Sequence, residues 1–262
     1  MCCELFDAMS DLVFTVKTGY LTHSLEREHT PAAISERLAR GARPNYLRDF
    51  VYGGIDGSVT TFAVVAGTVG ANLSTRVILI LGAANLIADG FSMAASNFLG
   101  TRAERDDYLR IARMETTHID LVPEGEREEI RQIYSGKGFK GEDLERIVTI
   151  VTADPDLWIR TMLTEEHGLP LEVRSEWMAA LSTFGAFLLC GLVPMMPFVF
   201  GTSHAFEVSA CLTGLVFFAI GSFKAKWSTE AWWHSGLVTL AIGSAAASLA
   251  YFVGSLLEGL AR

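Results

Sequence analysis

Apolar and charged positions divide the chain into long uncharged runs and one charge-dense stretch. From residue 50 to 73 the only charged residue is Asp56, and from 77 to 99 the only one is Asp89. Residues 177–199 and 208–223 carry no charge, and 231–257 carries only His234, near its start. A bilayer crossing takes about 20 apolar residues. The runs therefore predict five transmembrane helices, the fourth recruiting residues back toward Ala205. Neither a basic leader nor a long apolar leader core precedes them, which reads as an inserted chain and not a secreted one.

Between the second and third runs, residues 100–175 hold 17 of the 30 acids and 11 of the 21 basic residues. No proline or glycine interrupts 101–122, so the second membrane helix is expected to run on as far as Pro123. Segments 124–134, 141–152 and 156–167 read as three further helices, the last with Asp154 as N-cap and Pro155 at its first helical position. The predicted organisation is an N-terminal arm (1–44) with a short amphipathic stretch Pro31–Arg40, membrane helices 1 and 2 (45–99), a helical insertion (100–175) and membrane helices 3 to 5 (176–258).

Basic residues alternate between rich and poor sides of the five spans. Six precede the first, Arg76 alone follows it, eleven lie in the insertion, none separates spans three and four, and Lys224 and Lys226 follow the fourth. The positive-inside rule then places the N-terminus and the insertion in the cytoplasm and the C-terminus on the opposite side. A net charge of −9 with 50% hydrophobic residues excludes a disordered chain and argues against nucleic acid as a partner. The cysteines form no spaced framework: Cys2 and Cys3 are adjacent, compatible with thioester lipidation, while Cys190 and Cys211 fall in apolar runs.

An ionisable group in hydrocarbon is costly and usually faces a bundle interior or a polar path. Asp56 stands between glycines in Tyr52-Gly-Gly-Ile-Asp-Gly57. It reads either as a neutral acid satisfied by a neighbouring helix or, with glycines permitting close approach, as an ion or proton site. Asn85, Asp89 and Met93 recur every four residues and share a helical face. That amide, carboxylate and thioether suit a borderline divalent ion such as Fe²⁺ better than Mg²⁺ or Ca²⁺. In the insertion, Glu115 and His118 are three apart, as are Glu126 and Glu129, and Met162, Glu165, Glu166 and His167 cluster later. Each i, i+3 pair projects two groups from one side of a helix, as ligand pairs do in carboxylate-bridged metal bundles. A solvated charged face is the alternative for any one pair; three sets in one subdomain favour ligands. The expected fold class is thus an all-α membrane protein with five transmembrane helices and an all-helical cytoplasmic metal-binding subdomain between helices 2 and 3.

The runs Tyr46-Leu-Arg-Asp-Phe-Val-Tyr-Gly-Gly-Ile-Asp-Gly57 and Asn85-Leu-Ile-Ala-Asp-Gly-Phe-Ser-Met-Ala-Ala-Ser-Asn97 resemble the first two spans of the vacuolar iron transporter family. Ile133-Tyr134, Lys137-Gly138, Val193-Pro-Met-Met-Pro-Phe198 and Gly221-Ser-Phe-Lys-Ala-Lys-Trp227 extend the likeness over roughly residues 45–258. The resemblance implies a homodimeric five-span carrier exchanging cytoplasmic Fe²⁺, and often Mn²⁺, for protons, with the path at the dimer interface. It implies Asp56 and Met93 on the metal path. Asn85 stands where the family carries a glutamate, and Asp89, one turn on, offers a carboxylate on the same face. It further implies metal capture by Glu115, Glu126, Glu129, Met162 and Glu166, with His118 in place of a glutamate and Leu163 and Leu169 in place of further ligands.

The sequence thus predicts a proton-coupled Fe²⁺ or Mn²⁺ exporter rather than an enzyme, without a prosthetic group, in a bacterial plasma membrane. A transport path of Asp56, Asn85, Asp89 and Met93 would be served by Glu115, His118, Glu126, Glu129, Met162, Glu165 and Glu166. A membrane-anchored metal sensor and a di-iron ferroxidase are the alternatives; within the insertion only Glu115-x-x-His118 has the spacing that the ferroxidase needs. No P-loop or dinucleotide fingerprint is present.

Overall fold

The computed structural model describes residues 25–40, 44–170 and 174–260. Every described element is a helix, and the chain divides into two units, 1–43 and 44–262. In the first, α1 (Pro31–Arg40) begins after Thr30, whose hydroxyl accepts from the Ala33 N–H at 3.3 Å. Cys2 and Cys3 lie outside the described residues.

The second unit contains α2 (Leu47–Gly70), α3 (Thr75–Leu121), α4 (Pro123–Gly136), α5 (Gly141–Thr152), α6 (Pro155–Glu165), α7 (Glu176–Leu192), α8 (Ala205–Lys224) and α9 (Trp232–Leu260). A 3₁₀ turn (Val193–Met195) and one α-turn (Met196–Val199) prolong α7 past Pro194. Five of these helices are long and apolar enough to cross a membrane: Leu47–Gly70, Thr75–Leu121, Glu176–Val199, Ala205–Trp227 and Trp232–Leu257. The expectation of five spans is met, and the fourth does begin at Ala205.

Helix α2 is the hub, packing against α3, α7, α8 and α9. It approaches α7 at backbone distance. A Cβ on Gly53 would sit 2.2 Å from the Thr183 carbonyl oxygen, and one on Gly57 2.4 Å from that of Phe187. The glycines that flank Asp56 in sequence therefore bring two helix backbones together.

Helix α3 runs unbroken for 47 residues, about 70 Å at 1.5 Å per residue, against a hydrocarbon core of about 30 Å. Its distal end packs with α4, α5 and α6 around Ile130, Val148, Val151, Trp158 and Met162. Arg131 grips Glu145 through two bonds of 2.8 and 3.0 Å, tying α4 to α5 at the surface. Exposed pairs of this kind contribute little, so the apolar cluster holds the insertion together. Helix α6 starts as its sequence predicts, with the Asp154 carboxylate accepting from the Asp156 and Leu157 N–H groups. It ends two residues earlier than expected. Gly168 takes a left-handed φ of 63°, and the Leu169 N–H turns back to the Leu163 carbonyl at 2.8 Å. His167 is thereby released from the helical course.

Candidate metal centre and membrane path

Three helices bring their acids and imidazoles to one place in the insertion. The distal end of α3 contributes Glu115 and His118, one turn apart. Chain reversal at Val122-Pro123 sets Glu126 and Glu129 of α4 opposite them, and the turn after α6 adds Glu166 and His167. Glu115 and Glu126 are buried, at 2% and 5% exposure. His167 Nε2 lies 2.8 Å from Glu115 Oε1, and His118 Nδ1 lies 3.3 Å from Glu126 Oε1. Two triads share Glu115: with Glu166 and His167, and with His118 and Glu126. In each, the ligand atoms lie within 4.8 Å of one another.

The electrostatics are those of a cation site. Burial, reinforced by the Glu129 and Glu115 carboxylates, pushes Glu126 up to about 7, against the opposing pull of His118. Glu129 is raised as well, first by burial and then by Glu166 and Glu115. Glu115 Oε2 and Glu126 Oε2 are both buried without a hydrogen-bond partner in the structure. A buried carboxylate oxygen left unpaired is costly, and a divalent cation would satisfy both. Mixed carboxylate and imidazole donors suit Fe²⁺, Mn²⁺ or Zn²⁺ and depart from the all-oxygen shells of Mg²⁺ and Ca²⁺.

The remaining residues assigned to this site from sequence are placed differently. Glu165 is exposed and engaged by Lys137, whose ammonium also lies over the Tyr134 ring. Met162 is fully buried in the apolar cluster with Ile130 and Trp158. His167 falls outside the ligand set assigned from sequence. Following Glu166 directly and lying past the last helical turn, it has no i, i+3 partner, and only the turn at Gly168 brings it to Glu115.

Along the membrane helices, Asp56 and Asp89 are part-buried and lie within electrostatic reach of each other, across the α2–α3 contact. The Asn85 amide nitrogen is buried without a hydrogen-bond partner. Met93 faces a separate cavity of about 220 Å³ that it shares with Asp49, Asn97, Glu104 and Arg174. Asp49, only 4% exposed, is ion-paired with Arg174. The Asn97 amide donates to Asp49 Oδ1 at 2.9 Å and to Thr183 Oγ1 at 2.7 Å. Arg174 also lies over the Tyr46 ring, whose hydroxyl accepts the Ser175 N–H at 3.0 Å. Sequence reasoning missed this network, although a signal was present: Asn97 continues the four-residue period of Asn85, Asp89 and Met93, and Asp49 precedes Asp56 by two turns.

A bundle of five membrane-crossing helices, one extended into a rod that carries two buried carboxylates ringed by imidazoles and a further acid, defines a polytopic membrane protein equipped to handle cations. Residues 47–255 match the model of the VIT family, and the chain belongs to that family. It is 32% identical over 248 residues to a vacuolar iron transporter of Toxoplasma gondii (strain ATCC 50861 / VEG), covering 90% of this chain and 82% of the relative. Vacuolar iron transporter 2 of Oryza sativa subsp. japonica is 30% identical over 219 residues, covering 82% and 88%. Vacuolar iron transporter 1 of Arabidopsis thaliana is 27% identical over 246 residues, covering 92% and 93%. Family and spans together make the chain an integral membrane protein.

Proposed function

We propose that this protein transports divalent metal, Fe²⁺ with or without Mn²⁺, out of the cytoplasm in exchange for protons. The observation that carries this reading is the cluster in which His118, Glu166 and His167 converge on the buried Glu115 and Glu126, each of which has one carboxylate oxygen unpaired. The names of the relatives support iron as cargo. In this reading the insertion is the cytoplasmic collector and Glu129, raised with Glu126, adds a further donor. Metal then passes to the cavity lined by Asp49 and Met93 and on to the Asp56 and Asp89 pair, where carboxylates exchange cation for proton. Asn85 donates its carbonyl without charge, leaving Asp89 to supply the compensating carboxylate. The working unit is a homodimer in a bacterial plasma membrane, with the N-terminus cytoplasmic and the C-terminus on the other side. The division into an arm (1–44), two membrane segments (45–99 and 176–258) and the collector (100–175) belongs to the same reading. Neither the sensor nor the ferroxidase gains support, since acids on the spans serve transport and the insertion lacks a second Glu-x-x-His pair.

The test is uptake of Fe²⁺ and Mn²⁺ into proteoliposomes with and without an imposed proton gradient. Gradient-driven flux is expected, and Asp56→Asn should abolish it in a protein that still folds. Full flux in that variant would overturn the path.

A further inference from the structure

A second cavity opens at the end of the bundle where α2 begins and α8 stops. It measures about 580 Å³, with Arg48, Lys224, Trp227 and Tyr52 among its exposed lining and the apolar Val51 and Ile55 continuing along α2 toward the membrane interior. Lys226 stands beside it, its ammonium 5.6 Å from the centre of the Trp227 ring. Arg48 is similarly placed over Tyr52, at 5.4 Å. Among the described residues none of these three cations is in an ion pair. Other basic groups at the same end behave differently: Arg105 is held by Glu176 and Arg174 by Asp49.

Three uncompensated cations beside an apolar wall, with a tryptophan at the boundary, require an occupant that is anionic at one end and hydrocarbon at the other. The geometry points to a binding site for an acidic glycerophospholipid. Arg48 and Lys224 hold its phosphate, Trp227 meets the glycerol level, and the first part of an acyl chain lies on Val51 and Ile55. Basic pockets between membrane helices recognise acidic headgroups in this way, and Trp favours this depth. Free phosphate would satisfy the cations but leave the apolar wall wet.

The site has a consequence for transport. Arg48 and Tyr52 also line the cavity that holds Asp49 and Met93. They form the wall between the two spaces, so a headgroup on Arg48 cancels a positive charge at the mouth of the metal path. A divalent cation then meets less repulsion there. This second step rests on the proposed transport, whereas the binding site does not.

The full chain, purified and reconstituted in nanodiscs of phosphatidylcholine with a minor fraction of phosphatidylglycerol, provides the test. Native mass spectrometry should find phosphatidylglycerol retained over phosphatidylcholine by roughly tenfold, and phosphatidylglycerol should raise the unfolding temperature. Both effects should vanish in Arg48→Gln/Lys224→Gln and persist in Arg48→Lys/Lys224→Arg. Should the first variant fail to fold, Lys224→Gln/Lys226→Gln, which changes only exposed side chains of α8 and the turn after it, should weaken retention. Equal retention of both lipids, or retention untouched by neutralising these cations, overturns the site. Displacement of the lipid by inorganic phosphate or glycerol 3-phosphate overturns the acyl-chain contact. In metal uptake the acidic lipid should lower KM. Selective retention with lipid-independent KM would leave the site standing and overturn its link to the path, and absence of uptake in every lipid would count against transport without touching the binding result.

Discussion

Glu126 shows how a single residue couples burial to ligand chemistry. Its carboxyl is raised to about 7 by burial and by its acidic neighbours, so the folded insertion holds a proton there that an unfolded chain releases near 4.5. The sign follows from linkage: the metal-free insertion is most stable at acid pH and loses that contribution as pH rises from the unfolded value through about 7. A metal ion needs the ionised form, so its affinity should move the opposite way. Calorimetric titration of Mn²⁺ should show affinity weakening by up to about tenfold per pH unit below 7, with the slope reduced in Glu126→Gln. A slope unchanged by that substitution would remove Glu126 from the site. At Asp49 the same physics is satisfied internally, since Arg174 and Asn97 occupy its oxygens. Removing one partner of a fully buried pair costs about 3–5 kcal/mol, and the partial exposure of Arg174 lowers that figure here. Arg174→Gln and Asp49→Asn should each lower the unfolding temperature markedly, and the double variant should lose less than the sum of the two.

Among the elements, α2 and α3 carry opposite lessons about glycine. On α2, Gly57 lies where a methyl group would enter the α7 backbone, so Gly57→Ala should cost about 1–3 kcal/mol through forced separation of the helices. On α3, Gly100 has nothing within 4 Å of the position its Cβ would take. Gly100→Ala should therefore stabilise, by about 0.5–1 kcal/mol, through helix propensity alone. Thermal unfolding in detergent reads both, and a matched sign in the two variants would contradict this packing. The length of α3 was legible in the absence of breakers from 101 to 122, and the start of α6 in Asp154-Pro155. Its end was not legible, because a glycine beyond a helix stops it only where the chain turns left-handed, as it does at the exposed Gly168.

For the whole molecule, α3 places the acid and imidazole cluster at the far end of a rod, which in the proposed transport separates collection from passage. If the two are distinct steps, Glu115→Gln/His167→Asn should raise the KM of uptake while largely preserving maximal flux, whereas Asp56→Asn removes flux at any concentration. A fall in maximal flux with KM unchanged would place the cluster on the path itself. The number and position of the membrane helices were determined by the sequence, because lipid requires about 20 apolar residues in succession and satisfies the backbone only within a helix. The acid and imidazole pairs of α3 and α4 were equally legible, because groups three apart on a helix share a face whatever surrounds them. What the tertiary structure alone decided is which groups meet: His167 reaches Glu115 across 52 residues, and Arg174 reaches Asp49 across 125. Pairings at that range depend on where a turn releases the chain and how closely two helices pack, and neither leaves a periodic trace in the sequence.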